Sequence, residues 1–65
     1  MLKYSQHARE QMIARGIDEA EVREAIKRGS KGLRSPDKLL FFYKYFGVVC
    51  RKIGEDYFII TVKPR

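Results

Sequence analysis

Three polar residues near the start of the chain have the types and the spacing of an acid–base site. His7, Gln11 and Arg15 follow one another at intervals of four, so on a helix they form one stripe. An imidazole exchanges protons near neutral pH, and a guanidinium can bind two phosphate oxygens at once. Cleavage of RNA without a metal needs a base for the 2′-hydroxyl, an acid for the leaving oxygen and a cation for the phosphorane charge. The stripe therefore makes His7 and Arg15 candidate catalytic residues.

The same residues have ordinary structural explanations. A single histidine near a helix start is more often a hydrogen-bond partner than a catalyst, and Gln11 and Arg15 are by default solvated helix positions. The chain has one histidine, so a base and an acid together would need a tyrosine, a lysine or water as the second group.

Residues in the second half of the chain could complete such a site if the first helix lies over the edge of a sheet. Thr61 is the third catalytic candidate, and Lys44, Arg51 and Lys63 are candidate nucleic-acid contacts. For Thr61 the more common explanation is the β propensity of threonine.

The aromatic run at residues 41–46 also allows two interpretations. Aromatic rings interleaved with lysine can stack on unpaired bases. They can equally build the core of a small protein, with Phe42 and Phe46 on one side of a strand or Phe41, Tyr43 and Tyr45 on the other. We expect one set to form the core and the other to cover a ligand, an RNA strand or a second subunit.

Charge is distributed unevenly along the chain. The 65 residues carry a net charge of +6, of which residues 1–24 contribute −1 and residues 25–65 contribute +7. A basic surface of this kind attracts polyanions, and we expect RNA as the partner. The alternative is a charge that serves solubility or an acidic partner protein.

Composition argues against several other classes of protein. One cysteine and one histidine cannot supply a disulfide framework, a zinc site or an iron–sulfur site. The longest apolar run, residues 39–43, is far shorter than the roughly 20 residues of a membrane span. The first ten residues lack the apolar segment of a signal peptide. We expect a cytoplasmic protein without metal, cofactor or membrane partner.

Two helices are predicted in the first half. Ser5 is an N-cap and Gly16 a C-terminal stop, with Ala8, Met12 and Ile13 at helical spacing between them. Ile17 should then contact Met12, as in a Schellman ending. The second helix begins with a capping box at residues 18–21, buries a stripe of Val22, Ala25 and Ile26, and closes at Gly29. Its acidic residues are explained by this capping and by the helix dipole rather than by a metal.

The second half changes to the pattern of β-strands. Residues 39–46, 48–53 and 57–62 are rich in aromatic and β-branched types, with turns predicted at Gly47 and at residues 54–56. A fourth, short strand is predicted around residues 31–35, before Pro36. Residues 50 and 52 should lie on the face opposite Arg51, and 58, 60 and 62 on the face opposite 57, 59, 61 and 63. The predicted fold is α+β: a single domain over residues 1–65, with two N-terminal helices packed on an antiparallel sheet of three or four strands.

The first helix also carries a family resemblance. It contains His-Ala, then Arg and Met, then Arg-Gly-Ile (His7, Ala8, Arg9, Met12 and residues 15–17). This pattern, with the last strand 59–62, resembles a family of small bacterial and archaeal domains of unknown function over about residues 4–63. By fold that family is similar to the barnase/EndoU/colicin/RelE group of metal-independent ribonuclease toxins, which implies a RelE-like fold. Its members usually have an Arg four residues after the His, where this chain has Gln11. If that Arg binds a phosphate, either Arg15 takes its role or the activity is weaker.

The sequence therefore predicts a toxin-like RNA-binding domain that could act as a metal-independent endoribonuclease. The alternative is a non-catalytic module. It would bind a partner protein, such as an antitoxin, or form a homodimer through an apolar sheet face or a sheet edge.

Overall fold

A computed structural model describes the backbone of residues 1–35 and 37–65, and the side chains of all these residues except 33–35. The elements follow in the order β1 (Leu2–Tyr4), α1 (Gln6–Arg15), α2 (Glu19–Arg28), β2 (Ser30–Ser35), β3 (Lys38–Tyr43), β4 (Phe46–Ile53) and β5 (Asp56–Pro64). Pro36, predicted to follow the fourth strand, lies outside the described residues.

The five strands form one sheet in the order β1-β5-β4-β3-β2. The three pairings from β2 to β5 are antiparallel, and β1 pairs with β5 in parallel, with Leu2 opposite Tyr57 and Tyr4 opposite Ile59. The α+β fold with two helices on a sheet is confirmed. The predicted strand count of three or four is too low and the sheet is mixed, because a three-residue strand at the start of the chain has too little pattern to be recognised.

Both helices begin and end where their capping residues predict. Ser5 accepts a hydrogen bond from the Ala8 amide, and Gly16 adopts a left-handed conformation with φ of 67°. Ile17 N donates to Met12 O over 2.9 Å, which is the bond that defines the Schellman ending. In α2 the capping box between Asp18 and Glu21 is complete in both directions.

The helices pack on one face of the sheet. Their contacts with it form the hydrophobic core, whose buried members are Ala8, Met12, Ile17, Val22, Ala25, Phe41, Phe46, Val48, Cys50, Ile59 and Val62. The helical spacing grouped Ile13 with Ala8 and Met12, but Ile13 is 83% exposed. It lies next to Met12 but one further step of about 100° around the helix, beyond the width of the buried face.

A β-bulge in β5 alters the predicted alternation of side chains. Val49 pairs with Thr61 and Cys50 with Ile59, so Ile60 is an extra residue in β5. As a result Ile59 and Val62 both belong to the core, although strict alternation placed them on opposite faces. The predicted placement of Cys50 and Lys52 opposite Arg51 agrees with the register, since they pair with core-side Ile59 and Tyr57.

The turn predicted at Gly47 lies two residues earlier. Gly47 is inside β4 and pairs with Phe42, and the chain turns at Lys44 and Tyr45. Lys44 has a positive φ of 52°, a conformation that lysine seldom adopts. A Cβ at Gly47 would lie 3.3 Å from the Phe42 ring, so the glycine makes room for this ring rather than for a turn.

Candidate nucleic-acid interface

The sheet face opposite the helices, which we call the open face, carries an apolar centre. Partners across an antiparallel pair share a face, and the pairs Leu40–Val49, Phe42–Gly47 and Arg51–Phe58 alternate with the core pairs. Val49 is buried although it is outside the helix-side core cluster. The rings of Phe42 and Phe58 are partly exposed. The open face thus presents two aromatic rings that no helix covers.

Basic side chains surround these rings. By register and alternation the open face includes Lys3, Lys38, Arg51 and Lys63. The Arg65 guanidinium lies over the Phe42 ring, 5.6 Å from its centroid.

Two carboxylates lie near these basic residues. Asp56 is 4.0 Å from Lys3 Nζ, and Asp37 is 3.8 Å from an Arg51 nitrogen. Both pairs are solvent-exposed, and such pairs are weak. The open face therefore combines stacking surface with an excess of positive charge.

The turn at residues 44–45 stands at one end of this face. Arg65 N donates to Tyr45 O over 3.1 Å and its Nη1 donates to Lys44 O over 3.3 Å, which ties the end of β5 to the turn. Lys44 Nζ lies 5.5 Å from the centroid of Tyr43, a ring that packs against the helix-side core. Of the predicted nucleic-acid contacts, Arg51 and Lys63 therefore share the open face, and Lys44 lies at its margin.

The helix α1 carries the predicted stripe of His7, Gln11 and Arg15, and this stripe is accessible to solvent. Arg15 Nε donates to Gln11 Oε1 over 3.2 Å, and both His7 and Arg15 are exposed. The His7 side chain makes no hydrogen bond or ion pair with the described residues. The explanation of His7 as a structural hydrogen-bond partner therefore finds no support in the described part of the chain.

The stripe lies on the flank of α1 away from α2. Arg9 marks the flank facing α2, because its Nη1 is 3.5 Å from Glu19 and its guanidinium lies over the Tyr4 ring. His7 is two residues earlier, about 200° around the helix, and so faces the opposite way.

On that side β5 has a free segment of edge. The pairing of β5 with β1 ends at Ile59, and Ser5 N donates to the Ile59 carbonyl. Ser5 Oγ donates to the Ile60 carbonyl over 2.7 Å. Beyond that point, among the described residues, no strand pairs with the outer edge of residues 61–64.

Thr61 does not join His7 and Arg15. It pairs with Val49 on the open face, and its hydroxyl donates to the carbonyl of Val62. The sheet therefore lies between the Thr61 side chain and α1. His7 and Arg15 are themselves about 12 Å apart along the helix axis, at 1.5 Å per residue, so they are placed for neighbouring phosphates rather than for one.

Four of the aromatic and basic members of the open face were absent from the sequence-based candidates: Lys3, Lys38, Phe58 and Arg65. Lys3 lies on the edge strand that was not recognised, and Arg65 acts through a ring contact that spacing does not reveal. The alternation of β5 did separate Phe58 from Tyr57, which is the signal that could have found it.

Two further properties bear on the site. In the described ranges, no three His, Cys, Asp or Glu side chains are grouped so that they could hold a metal ion. No helix among the described residues has both the length and the apolarity to cross a membrane.

Comparison with known proteins gives a family for the chain. Residues 4–63 match a domain of unknown function, DUF4258, and the chain belongs to that family. No curated protein and no solved structure matches this chain.

Proposed function

We propose that this domain binds single-stranded RNA on its open face. The observation that carries the proposal is the pair of partly exposed rings, Phe42 and Phe58, on a helix-free sheet face with basic side chains around them. A base stacked on an aromatic ring contributes about 1–3 kcal/mol, and cations beside the rings neutralise the phosphates. A sheet face of this kind takes unpaired bases more readily than a duplex, whose bases are already stacked on one another.

The endoribonuclease activity implied by the resemblance to ribonuclease toxins is part of this proposal. It would use His7 as the proton-transferring group and Arg15 as a phosphate ligand, with Thr61 contributing to RNA contact on the open face. The RNA would have to pass from the open face to the helix side of the sheet to reach α1. The exposure of His7 and Arg15, with the Arg15 side chain hydrogen-bonded to Gln11, supports this arrangement.

Binding can be measured by fluorescence anisotropy of a labelled, unstructured RNA at increasing salt. A variant with Arg51→Gln and Lys63→Gln removes two open-face cations. We expect weaker binding and a salt slope (log Kd against log salt) that is flatter by roughly 0.7 for each phosphate that the variant no longer neutralises. Phe58→Leu keeps an apolar side chain but removes the ring, and we expect it to weaken binding about 10-fold.

The matched control is a variant with Lys27→Gln and Arg28→Gln, which lowers the net charge equally. These residues are exposed on α2, on the helix side of the sheet. If both double variants weaken binding to the same extent, attraction is due to net charge and the open face is not the site. If the wild-type protein binds no RNA at low salt, the alternative of a partner protein or a homodimer takes precedence, and sedimentation distinguishes the dimer.

A further inference from the structure

The strongest unassigned feature is a cleft between the end of α1 and the turn that joins β3 to β4. It has a volume of about 310 Å³ and is lined by Ala14, Arg15, Ile17, Tyr45, Phe46 and Pro64. One wall is thus the Arg15 end of the stripe and the other is the turn next to the open face.

Tyr45 is the aromatic wall of this cleft. It is 55% exposed, yet its ring packs against that of Phe46, with 5.5 Å between centroids and an interplanar angle of 70°. Phe46 is completely buried, so the exposed ring is supported from the core. A supported ring loses little freedom when a base stacks on it, which favours stacking.

Arg15 is the cationic wall. Its side chain makes one hydrogen bond to the described residues, from Nε to Gln11 Oε1. The two terminal nitrogens have no partner in that part of the structure, and a guanidinium presents such nitrogens as a fork to phosphate oxygens. An aromatic ring and a guanidinium across a small cleft suit one nucleotide.

The cleft is continuous with the open face through Arg65. This residue contacts the Phe42 ring on the open face and hydrogen-bonds to the backbone of both turn residues, Lys44 and Tyr45. Lys63 is two residues before Arg65 in the chain and lies on the same open face. Aromatic and basic groups therefore follow one another from the open face, across the end of the sheet, to the cleft.

We infer that an RNA strand bound on the open face turns over this end of the sheet, with one nucleotide entering the cleft. Tyr45 stacks on its base and Arg15 binds its phosphate. This inference rests on the proposed function and extends it, because it fixes the path by which RNA leaves the open face and reaches the stripe on α1.

The test compares a short and a long RNA. An oligonucleotide of about four residues can occupy the open face alone, whereas one of about ten can also reach the cleft. Tyr45→Leu should leave the Kd of the short RNA unchanged and weaken binding of the long RNA about 10-fold. Arg15→Gln should also weaken binding of the long RNA about 10-fold. Leucine keeps an apolar contact with Phe46, and thermal melts of each variant establish that it is folded.

The control variants are Ile13→Ala, an exposed apolar change on α1, and Lys27→Gln, which matches the charge change of Arg15→Gln. Neither should distinguish the two RNAs. The inference is overturned if Tyr45→Leu and Arg15→Gln leave the long RNA unaffected, or if Tyr45→Leu weakens both RNAs equally. Loss of the proposed function is recognised separately, because then the wild-type protein fails to bind the short RNA as well.

Discussion

At the scale of single residues, Ser5 combines two hydrogen bonds in one hydroxyl group. The hydroxyl oxygen accepts from the Ala8 amide over 2.9 Å, and the O–H donates to the Ile60 carbonyl over 2.7 Å. The first bond caps α1, and the second connects this N-cap residue to β5 at its bulge. We expect Ser5→Ala to lower the free energy of unfolding by about 1–3 kcal/mol, since it removes a cap and leaves a backbone carbonyl without its partner. Denaturant unfolding measures this.

Two further substitutions separate the two bonds. Ser5→Thr keeps a hydroxyl and should be close to wild type. Ser5→Asp can still cap the helix but cannot donate to Ile60, so it should remain less stable than wild type at neutral pH. Gln6→Ala, at an exposed neighbouring position, serves as the control. If Ser5→Asp is as stable as wild type, the bond to Ile60 contributes nothing measurable.

His7 can be tested as a proton-transferring residue by RNA cleavage in excess EDTA. RNA supplies its own nucleophile, so DNA and RNA with 2′-O-methyl groups should resist cleavage. We expect His7→Ala to lower the rate about 10²- to 10⁴-fold, the usual effect of removing a positioned acid or base. The histidine is exposed, so the variant should fold normally and its melting temperature should show this.

The outcome of that experiment can go against the assignment in two ways. Wild-type protein could leave a range of unstructured RNAs intact, or a folded His7→Ala variant could cut them equally well. Gln11→Arg provides an additional comparison. If an Arg at this position can bind phosphate, introducing it should raise the rate.

At the scale of helices and strands, the sequence indicated the features that depend on neighbouring residues. It did not indicate those that depend on contacts between distant residues. Both helices could be located because Ser5, Gly16 and Asp18 act on backbone groups within a few residues of themselves. Pairing of β1 with β5 joins residues more than fifty positions apart, and no pattern within residues 2–4 indicates it. The bulge at Ile60 is set by the register against β4, which is likewise absent from the sequence of β5 alone.

The turn between β3 and β4 shows how one residue type can mislead. A glycine in an aromatic and β-branched run usually indicates a turn. Gly47 instead lies beneath the Phe42 ring, and Lys44 takes the positive φ that the turn requires. The sequence cannot reveal that the positive φ belongs to Lys44 and not to Gly47, because this depends on which ring of β3 lies opposite the glycine of β4.

At the scale of the whole molecule, the sheet divides the predicted site into two parts. The sequence correctly grouped His7, Gln11 and Arg15, because helical spacing alone decides which side chains share a flank. It also placed Thr61 with them, which required knowing the face of β5 to which each side chain points. That face depends on the bulge, and the structure assigns Thr61 to the open face.

Because the only cysteine is buried, the stability of the whole fold should decrease at alkaline pH. Desolvation raises the pKa of the Cys50 thiol from its ordinary value of 9.0 to about 11, against an opposing effect of Lys31. The unfolded chain therefore loses this proton at lower pH than the folded protein does, and stability falls as pH rises through 9 toward 11. The decrease from this group should reach up to about 3 kcal/mol, at roughly 1.4 kcal/mol for each pH unit.

The measurement is the free energy of unfolding between pH 8 and pH 11 for wild type and Cys50→Ala. The variant loses some stability at every pH through the smaller side chain, but its decrease above pH 9 should be shallower. Tyr4 adds a change of the same sign at higher pH, because burial, and then the charge of Glu19, raise its pKa above 10.0. Equal slopes for the two proteins would show that the thiol does not contribute.

Pairing of β1 with β5 also sets the order in which the chain can fold. The strand β1 pairs with Tyr57, Phe58 and Ile59, so its place at the sheet edge is created by residues that are synthesised more than fifty positions after it. Long loops of this kind close late, because the chain must lose much entropy before the contacts compensate it. During synthesis, the pairing of β1 and the bond from the Ser5 hydroxyl to the Ile60 carbonyl have to wait until β5 has been made. The β2–β3–β4 hairpins, whose pairings are local, can form first and act as the template on which β5 and then β1 are added.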